Sequence, residues 1–337
     1  PRRPGARVAT PWFDPGRDHA LMDLVTLQDV RDAAARLRDT AWPTPLVPCD
    51  PLPGLPSWNI LVKAENLQHT GSFKVRGAAN ALFARSEREG GARAVVTYSA
   101  GNHGAGAAYA ATRLGIGVTV CMPPASVPVK VAAVRRFGGR VVLTDDLIGT
   151  TRSLAAEAGS AVLHPFDDHD VIAGQGTVGL EILDHCPNPD AVIVPVGGGG
   201  LVSGVGTVLA ALSPATRIIG VEPDGAASMS HALAAGALVS LPTPARSVAD
   251  GLTAPAPGEI TYAHARRLVH RMVSVSEREI LGAWARMIAA TRLFVEPSAA
   301  VTLAALRSGE LDLPDGATVV LVASGGNAAP GAPGLRE

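Results

Sequence analysis

Short apolar, β-branched runs recur along almost the whole chain, at "NILVKA", "ARAVVTY", "GVTVCM", "GRVVLT", "SAVLHP", "DAVIVPV", "RIIGVE", "HRMVSV" and "ATVVLVA". Between most of them lie Ala- and Leu-rich stretches of helical length, such as "HGAGAAYAATRL", "VPVKVAAVRRF" and "IAGQGTVGLEILDHC". This alternation constrains the fold more than any other feature. Strand–helix alternation repeated so often predicts an α/β protein with mainly parallel sheets covered on both faces. Several runs are continuously apolar, which is what burial of both faces demands of a strand. At 337 residues the chain is long enough for two αβα lobes.

The segments outside the alternation read differently. Residues 1–26 are proline-punctuated and polar and read as an N-terminal extension. "TLQDVRDAAARLRDT" reads as a helix opened by Thr26 as its cap. "WPTPLVPCDPLPGLP" carries too much proline for regular structure and reads as a loop, and "LPTPARSVADGLTAPAPGE" as a long irregular segment of the kind that builds sites. A formal net charge of −1 with no basic stripe argues against a nucleic-acid or membrane partner. Cys49, Cys121 and Cys186 lie far apart with no C-x-x-C pair, so neither a disulfide framework nor a zinc site is expected. With no apolar run of membrane-spanning length and no secretory leader, a cytoplasmic location is the expectation.

Five stretches could carry chemistry. In "VIVPVGGGGLVSGVG" a buried strand runs into Gly197, Gly198, Gly199 and Gly200 and then into a helix of small residues. Such a turn aims successive N–H groups, with the helix N-terminus behind them, at a phosphate. No Lys-Ser/Thr pair follows, as a P-loop needs, and no acidic ribose partner is evident downstream. The competing reading is a tight strand-to-helix turn with no ligand. "TYSAGNHGAGAAYA" places Ser99, Gly101, Asn102 and His103 at a helix start, where they suit an anion or serve as ordinary caps. "VASGGNAAP" puts Ser324 at the carboxyl end of the last strand, where open α/β sheets bind ligands. "VEPSAA" has Glu296 opening what reads as an ordinary helix start.

The last stretch is "GSFKVRGAAN". Of the 29 Lys and Arg residues only Lys63, Lys74 and Lys130 are lysines. Lysine and arginine are both cations, but only the amine can lose its proton and attack a carbonyl. Lys74 alone reads as an exposed residue at a helix start. Together with a phosphate cradle and polar groups at strand ends, it points to pyridoxal phosphate, which needs one amine, donors for its phosphate and partners for its ring.

The ordered motifs "ENLQHTGSFKVRGAAN", "SAGNHGAGAAYAA", "HPFDDHDVIAGQGTVGLEI", "VGGGGLVSG", "GVEP", "VADGL", "EPSAA" and "SGGN" resemble those of fold-type-II pyridoxal-phosphate enzymes, most closely the serine/threonine dehydratase and serine racemase branch. The resemblance spans roughly residues 27–330. It implies a tryptophan synthase β-like fold with the cofactor in the cleft between the lobes. The large domain would comprise residues 27–93 and 169–337, and residues 94–168 a small mobile domain. It implies that Lys74 forms the Schiff base and moves the substrate α-proton, and that Phe73 packs against the ring. Asn102 would bond the ring hydroxyl, Gly197, Gly198, Gly199 and Gly200 the phosphate, and Ser324 the ring nitrogen. Ser99, Gly101 and His103 would line the substrate carboxylate site, and the enzyme would be a homodimer.

Two positions depart from the branch. Racemases carry a serine just before Gly-Asn-His to reprotonate from the face opposite the lysine, and this chain has Ala100 there. An alanine has no proton to donate, which favours elimination. The family's divalent cation would fall on Glu222 and the Ala226 carbonyl, but its second carboxylate is replaced by Ser228, so a bound cation is doubtful. The expected activity is deamination of a β-hydroxy amino acid such as L-threonine or L-serine. A racemase, or a β-elimination or β-replacement enzyme for an unusual amino acid, stays open, and so does a non-catalytic cofactor-binding protein.

Overall fold

A computed structural model describes residues 23–91 and 93–328. What the sequence suggests for residues 1–22 lies outside them. Two sheets organise the described chain. The larger contains β1 (Leu46–Pro48), β2 (Asn59–Ala64), β7 (Ala191–Pro195), β8 (Arg217–Pro223), β9 (Arg271–Val275) and β10 (Thr318–Ala323), in the order β1-β2-β10-β7-β8-β9. The smaller contains β3 (Val95–Tyr98), β4 (Val118–Met122), β5 (Arg140–Leu143) and β6 (Ala161–Val162), in the order β5-β4-β3-β6. All pairings are parallel except β1 with β2.

The helices are α1 (Leu27–Leu37), α2 (Lys74–Glu89), α3 (Asn102–Leu114), α4 (Pro128–Arg136), α5 (Leu147–Glu157), α6 (His169–His185), α7 (Gly200–Leu212), α8 (Ser228–Ala235), α9 (Glu259–Leu268), α10 (Glu277–Thr291) and α11 (Pro297–Arg307). Each sheet is packed on both faces because successive strand residues point to opposite sides. In β10, Val319 and Leu321 join Trp284, Met287 and Leu303 of α10 and α11 on one face. Val320 and Val322 join Val202, Val205 and Tyr262 of α7 and α9 on the other. In the smaller sheet Val120 and Met122 meet α2 and α3, while Val96 and Cys121 meet Ala155 of α5.

All nine runs read as strands form strands. One segment differs from the expectation: within the proline-rich stretch taken as loop, Leu46, Val47 and Pro48 pair antiparallel with Lys63, Val62 and Leu61. Proline lacks the ladder N–H, but an edge strand needs only one side bonded, and β1 is that edge.

Helix α2 is the element that positions the site. A Cβ on Gly77 would meet the Val171 carbonyl at 2.7 Å, and one on Gly174 the Arg76 carbonyl at 2.6 Å, so α2 and α6 touch backbone to backbone. Behind its first turn, Arg76 is buried and forks onto the Glu65 carboxylate at 2.8 Å through both Nε and Nη2. Its other face reaches Glu181 of α6, which also accepts from buried Lys63 of β2. Two cations and two carboxylates thus balance in the interior. Lys130, on α4, is buried as well, and Lys74 is half-buried.

Candidate active site

The motif "GSFK" runs alongside the end of β10. The Phe73 N–H donates to the Ser324 carbonyl at 3.1 Å, the Gly326 N–H to the Gly71 carbonyl at 2.9 Å, and Ser72 bridges Gly325. This short pairing sets the start of α2 against the carboxyl end of the sheet, so that Lys74 and Ser324 face one cavity of about 370 Å³ between the lobes. Phe73, Asn102, Gly197, Gly198, Gly199, Gly200, Ser99, Gly101 and His103 also line it, so every residue that the resemblance assigns to cofactor or substrate lines this cavity.

Lys74 Nζ donates to the Pro165 carbonyl at 2.9 Å and lies 5.3 Å from the centre of the Phe73 ring. No carboxylate is bonded to it among the described residues, and burial pushes its amine down to about 8. The glycine loop leaves β7, with Gly199 at φ +96° as the N-cap of α7. No side chain fits along it. A Cβ on Gly198 would lie 2.3 Å from the Phe166 ring, one on Gly199 2.7 Å from Met229, and one on Gly197 3.1 Å from the Leu252 backbone.

Asn102 is held at both ends. Its Nδ2 donates to Glu296 Oε1 at 2.6 Å, and its Oδ1 accepts from Asn327 Nδ2 at 2.9 Å. One hydrogen of Nδ2 remains for another acceptor. Ser99 Oγ accepts the N–H groups of Gly101 and Gly104 at 2.9 Å each, so it closes the turn into α3 as a cap. His103 is turned toward β3. Thr97 Oγ1 donates its hydrogen to the Leu163 carbonyl, so His103 Nε2 is the donor in its 3.0 Å contact with Thr97. Burial and the nearby Lys74 hold this imidazole neutral, well below its usual range. A neutral ring cannot offer a substrate carboxylate a charge, although it lines the same cavity.

Three contributors were not evident in the sequence. Glu296, read as a helix start, is buried; its Oε1 takes the Asn102 amide and its Oε2 lies 3.9 Å from Lys130 Nζ. Lys130 reaches from α4 across Gly101, where a Cβ would meet its stem at 2.4 Å, to pair with Asp250 at 2.6 Å. Asp250 opens a 3₁₀ turn inside the irregular segment flagged in the sequence. The motifs "VADGL" and "EPSAA" hold two of these residues, but neither a motif nor helix periodicity says what they touch, because the bonds from Asn102 to Glu296 and from Lys130 to Asp250 join segments more than a hundred residues apart.

The cation site implied by the resemblance is not assembled. Glu222 Oε1 accepts the Met229 N–H at 2.7 Å, and Oε2 accepts from the N–H and hydroxyl of Ser230, so this carboxylate caps α8. Burial raises it to about 7. Both oxygens are engaged, Ser228 supplies no carboxylate, and no metal-suited cluster of His, Cys, Asp or Glu occurs among the described residues. Glu222 and Ala226 do not fit a divalent cation here.

The donor set does fit pyridoxal phosphate: an amine with no carboxylate bonded to it, a glycine cradle closed to side chains, an amide with a hydrogen to give, and a hydroxyl at the strand end. Comparison with known proteins agrees. A family model described as "Pyridoxal-phosphate dependent enzyme" matches residues 37–325. The chain is 43% identical to an L-threonine ammonia-lyase of Geobacter sulfurreducens, over 80% of this chain and 67% of that one. It superposes on the crystal structure of a threonine deaminase from T.th. with a TM-score of 0.83 at 40% identity, covering 90% and 99% of the two chains. Maize serine racemase superposes with a TM-score of 0.86 at 33% identity, covering 92% and 95%. With the cavity, its amine and its glycine cradle accounted for by one cofactor, and most of the chain matched, this protein belongs to the family of pyridoxal-phosphate dependent enzymes.

Proposed function

We propose that the chain is an ammonia-lyase that deaminates a β-hydroxy α-amino acid, with L-threonine and L-serine the first substrates, releasing a 2-oxo acid and ammonia. The observation that carries this reading is the pairing, in one cavity, of the Lys74 amine with an alanine at position 100. An amine can take the α-proton, and alanine cannot return one from a second side. The similarity to threonine ammonia-lyases supports elimination. The similarity to serine racemases supports a racemase as second reading, and Ala100 weighs against it.

Pyridoxal phosphate, once bound, supplies the electron sink that lets the α-proton be removed and the β-hydroxyl depart. In this reading Gly197, Gly198, Gly199 and Gly200 hold its phosphate, Asn102 its ring hydroxyl and Ser324 its ring nitrogen, with Phe73 beside the ring. Ser324 offers that nitrogen a neutral hydroxyl, which stabilises a protonated ring less than a carboxylate does. Lys74 Nζ is the base: burial favours its uncharged form, whose lone pair accepts the α-proton. The turn of Ser99, Gly101 and His103 receives the substrate carboxylate through N–H groups at the start of α3. Residues 94–168 close over the substrate and exclude water. The chain works as a homodimer in the cytoplasm. No helix among the described residues is long and apolar enough to cross a membrane.

The test is 2-oxo acid release from L-threonine and L-serine by the purified protein with added cofactor, beside Lys74→Ala. Product from the wild type and none from the variant supports the reading. Enantiomer exchange without oxo acid would hand the site to the racemase reading.

A further inference from the structure

The motif "HPFDD" has no part in the function argued so far, yet its first four residues touch the site at four places. Pro165 gives its carbonyl to Lys74 Nζ at 2.9 Å. Phe166 lies face-on against Gly198 and packs on Gly200. Asp167 accepts the N–H groups of Glu259, Ile260 and Thr261 at 2.9, 2.9 and 3.2 Å, capping α9, and a Cβ on Gly258 would collide with it. His164 Nδ1 accepts the N–H groups of Phe166 and Asp167 at 3.3 and 2.8 Å, tying the loop to itself. With Nδ1 accepting, the ring hydrogen sits on Nε2 and is donated to the Tyr98 hydroxyl at 2.9 Å.

We propose that residues 164–167 hold the Lys74 amine on the Pro165 carbonyl whenever the lysine is not joined to the cofactor, with His164 and Asp167 as the positioning residues that fix this carbonyl. The proposal rests on Lys74 being the acting amine. An uncharged amine has two hydrogens and one lone pair. Donating one hydrogen to a fixed acceptor turns the lone pair away from the carbonyl, leaving it for the substrate proton or the cofactor aldehyde. A free lysine stem would instead sample many orientations, and misplacement of a reacting group lowers rate steeply. Proline suits the acceptor position because its ring locks φ and so limits where the carbonyl points. Each neighbour of Pro165 is anchored by something else: His164 by Tyr98, Phe166 by the glycine loop, Asp167 by α9. The loop thus couples the amine to the phosphate cradle, since the residue packed on Gly198 follows the one that holds Lys74.

The test uses the full chain, stripped of cofactor and remixed with pyridoxal phosphate, following the visible absorbance of the lysine-bound cofactor, with kcat and KM for L-threonine measured on the loaded enzyme. His164→Leu removes the acceptor that ties the loop. His164→Asn keeps one, because the Asn Oδ1 sits close to where Nδ1 does. The expected result is capture and kcat each slowed about tenfold in the leucine variant, KM within about threefold, and recovery of most of the loss in the asparagine variant. A leucine variant with wild-type capture and kcat overturns the proposal. So does a loss that asparagine fails to recover. If the leucine variant does not fold, Asp167→Asn, equal in size and a weaker acceptor, should slow capture by a smaller factor; an unchanged rate there overturns the proposal as well. A wild type lacking any absorbance that Lys74→Ala abolishes would sink the lyase reading and this proposal together. A wild type showing it, with His164→Leu indifferent, sinks only the role of the loop.

Discussion

Among the described residues, the amine of Lys74 has a carbonyl for a partner and no carboxylate, and burial holds it near 8, against the 10.5 of an exposed lysine. The uncharged form attacks the cofactor aldehyde, so capture of pyridoxal phosphate should accelerate as pH rises and level off above about 8; stopped-flow mixing from about pH 6 to 9.5 measures it. A rate flat across that range would show that the amine is uncharged throughout. Gly198 is the sharpest single-atom test of the cradle. Gly198→Ala sets a methyl 2.3 Å from the Phe166 ring, and the ring or the loop must move. Cofactor affinity should fall at least about tenfold while circular dichroism stays unchanged, as expected of a misplaced anion site rather than a lost core. Lys74 and the glycines were legible because each is an odd choice for its surroundings: a lysine among arginines, four glycines in a row. Glu296 was not, because an acidic residue before proline and alanines is an ordinary helix start, and only the fold brings it within 2.6 Å of Asn102.

At the scale of elements, the first turn of α2 presents Lys74 to the cavity and is held from the opposite side by Arg76. Removing the guanidinium leaves the buried Glu65 carboxylate and the half-buried Glu181 carboxylate facing one lysine. Arg76→Ala should therefore cost about 3–5 kcal/mol in denaturant unfolding, far more than an exposed ion pair would. The same change in a surface pair such as Arg271 with Glu310 should be nearly silent. A variant of Arg76 that unfolds like the wild type would mean water reaches this cluster. Sequence periodicity identified the elements well where strands are buried on both faces, since only continuous apolar runs serve there. It failed at β1, where proline density argued for loop. What makes Leu46–Pro48 a strand is a partner, β2, that lies beyond the segment itself.

For the whole molecule, the lobes meet over the cavity and Lys130 crosses between them, from α4 to Asp250. Lys130→Met keeps the stem over Gly101 and deletes the charge. If the pair helps to hold the lobes together, KM for L-threonine should rise severalfold with a smaller change in kcat, and steady-state kinetics at low and high salt would show the wild type moving part of the way. An unchanged KM would confine Lys130 to packing. Such cross-lobe contacts could not be read from the chain, because they depend on how two separately legible halves are set against each other. The placement of the lysines has a practical consequence. Lys63 and Lys130 are interior and Lys74 is half-buried and lines the cavity, so none of the chain's three lysines is an exposed surface residue, and the surface positive charge is carried by arginine. Bulky amine-directed dyes, aldehyde fixatives and coupling resins should find no lysine to attack on the native protein. Reduction of the loaded enzyme with borohydride should mark one lysine per chain, Lys74, and the label can be counted by mass without a background of surface-lysine adducts.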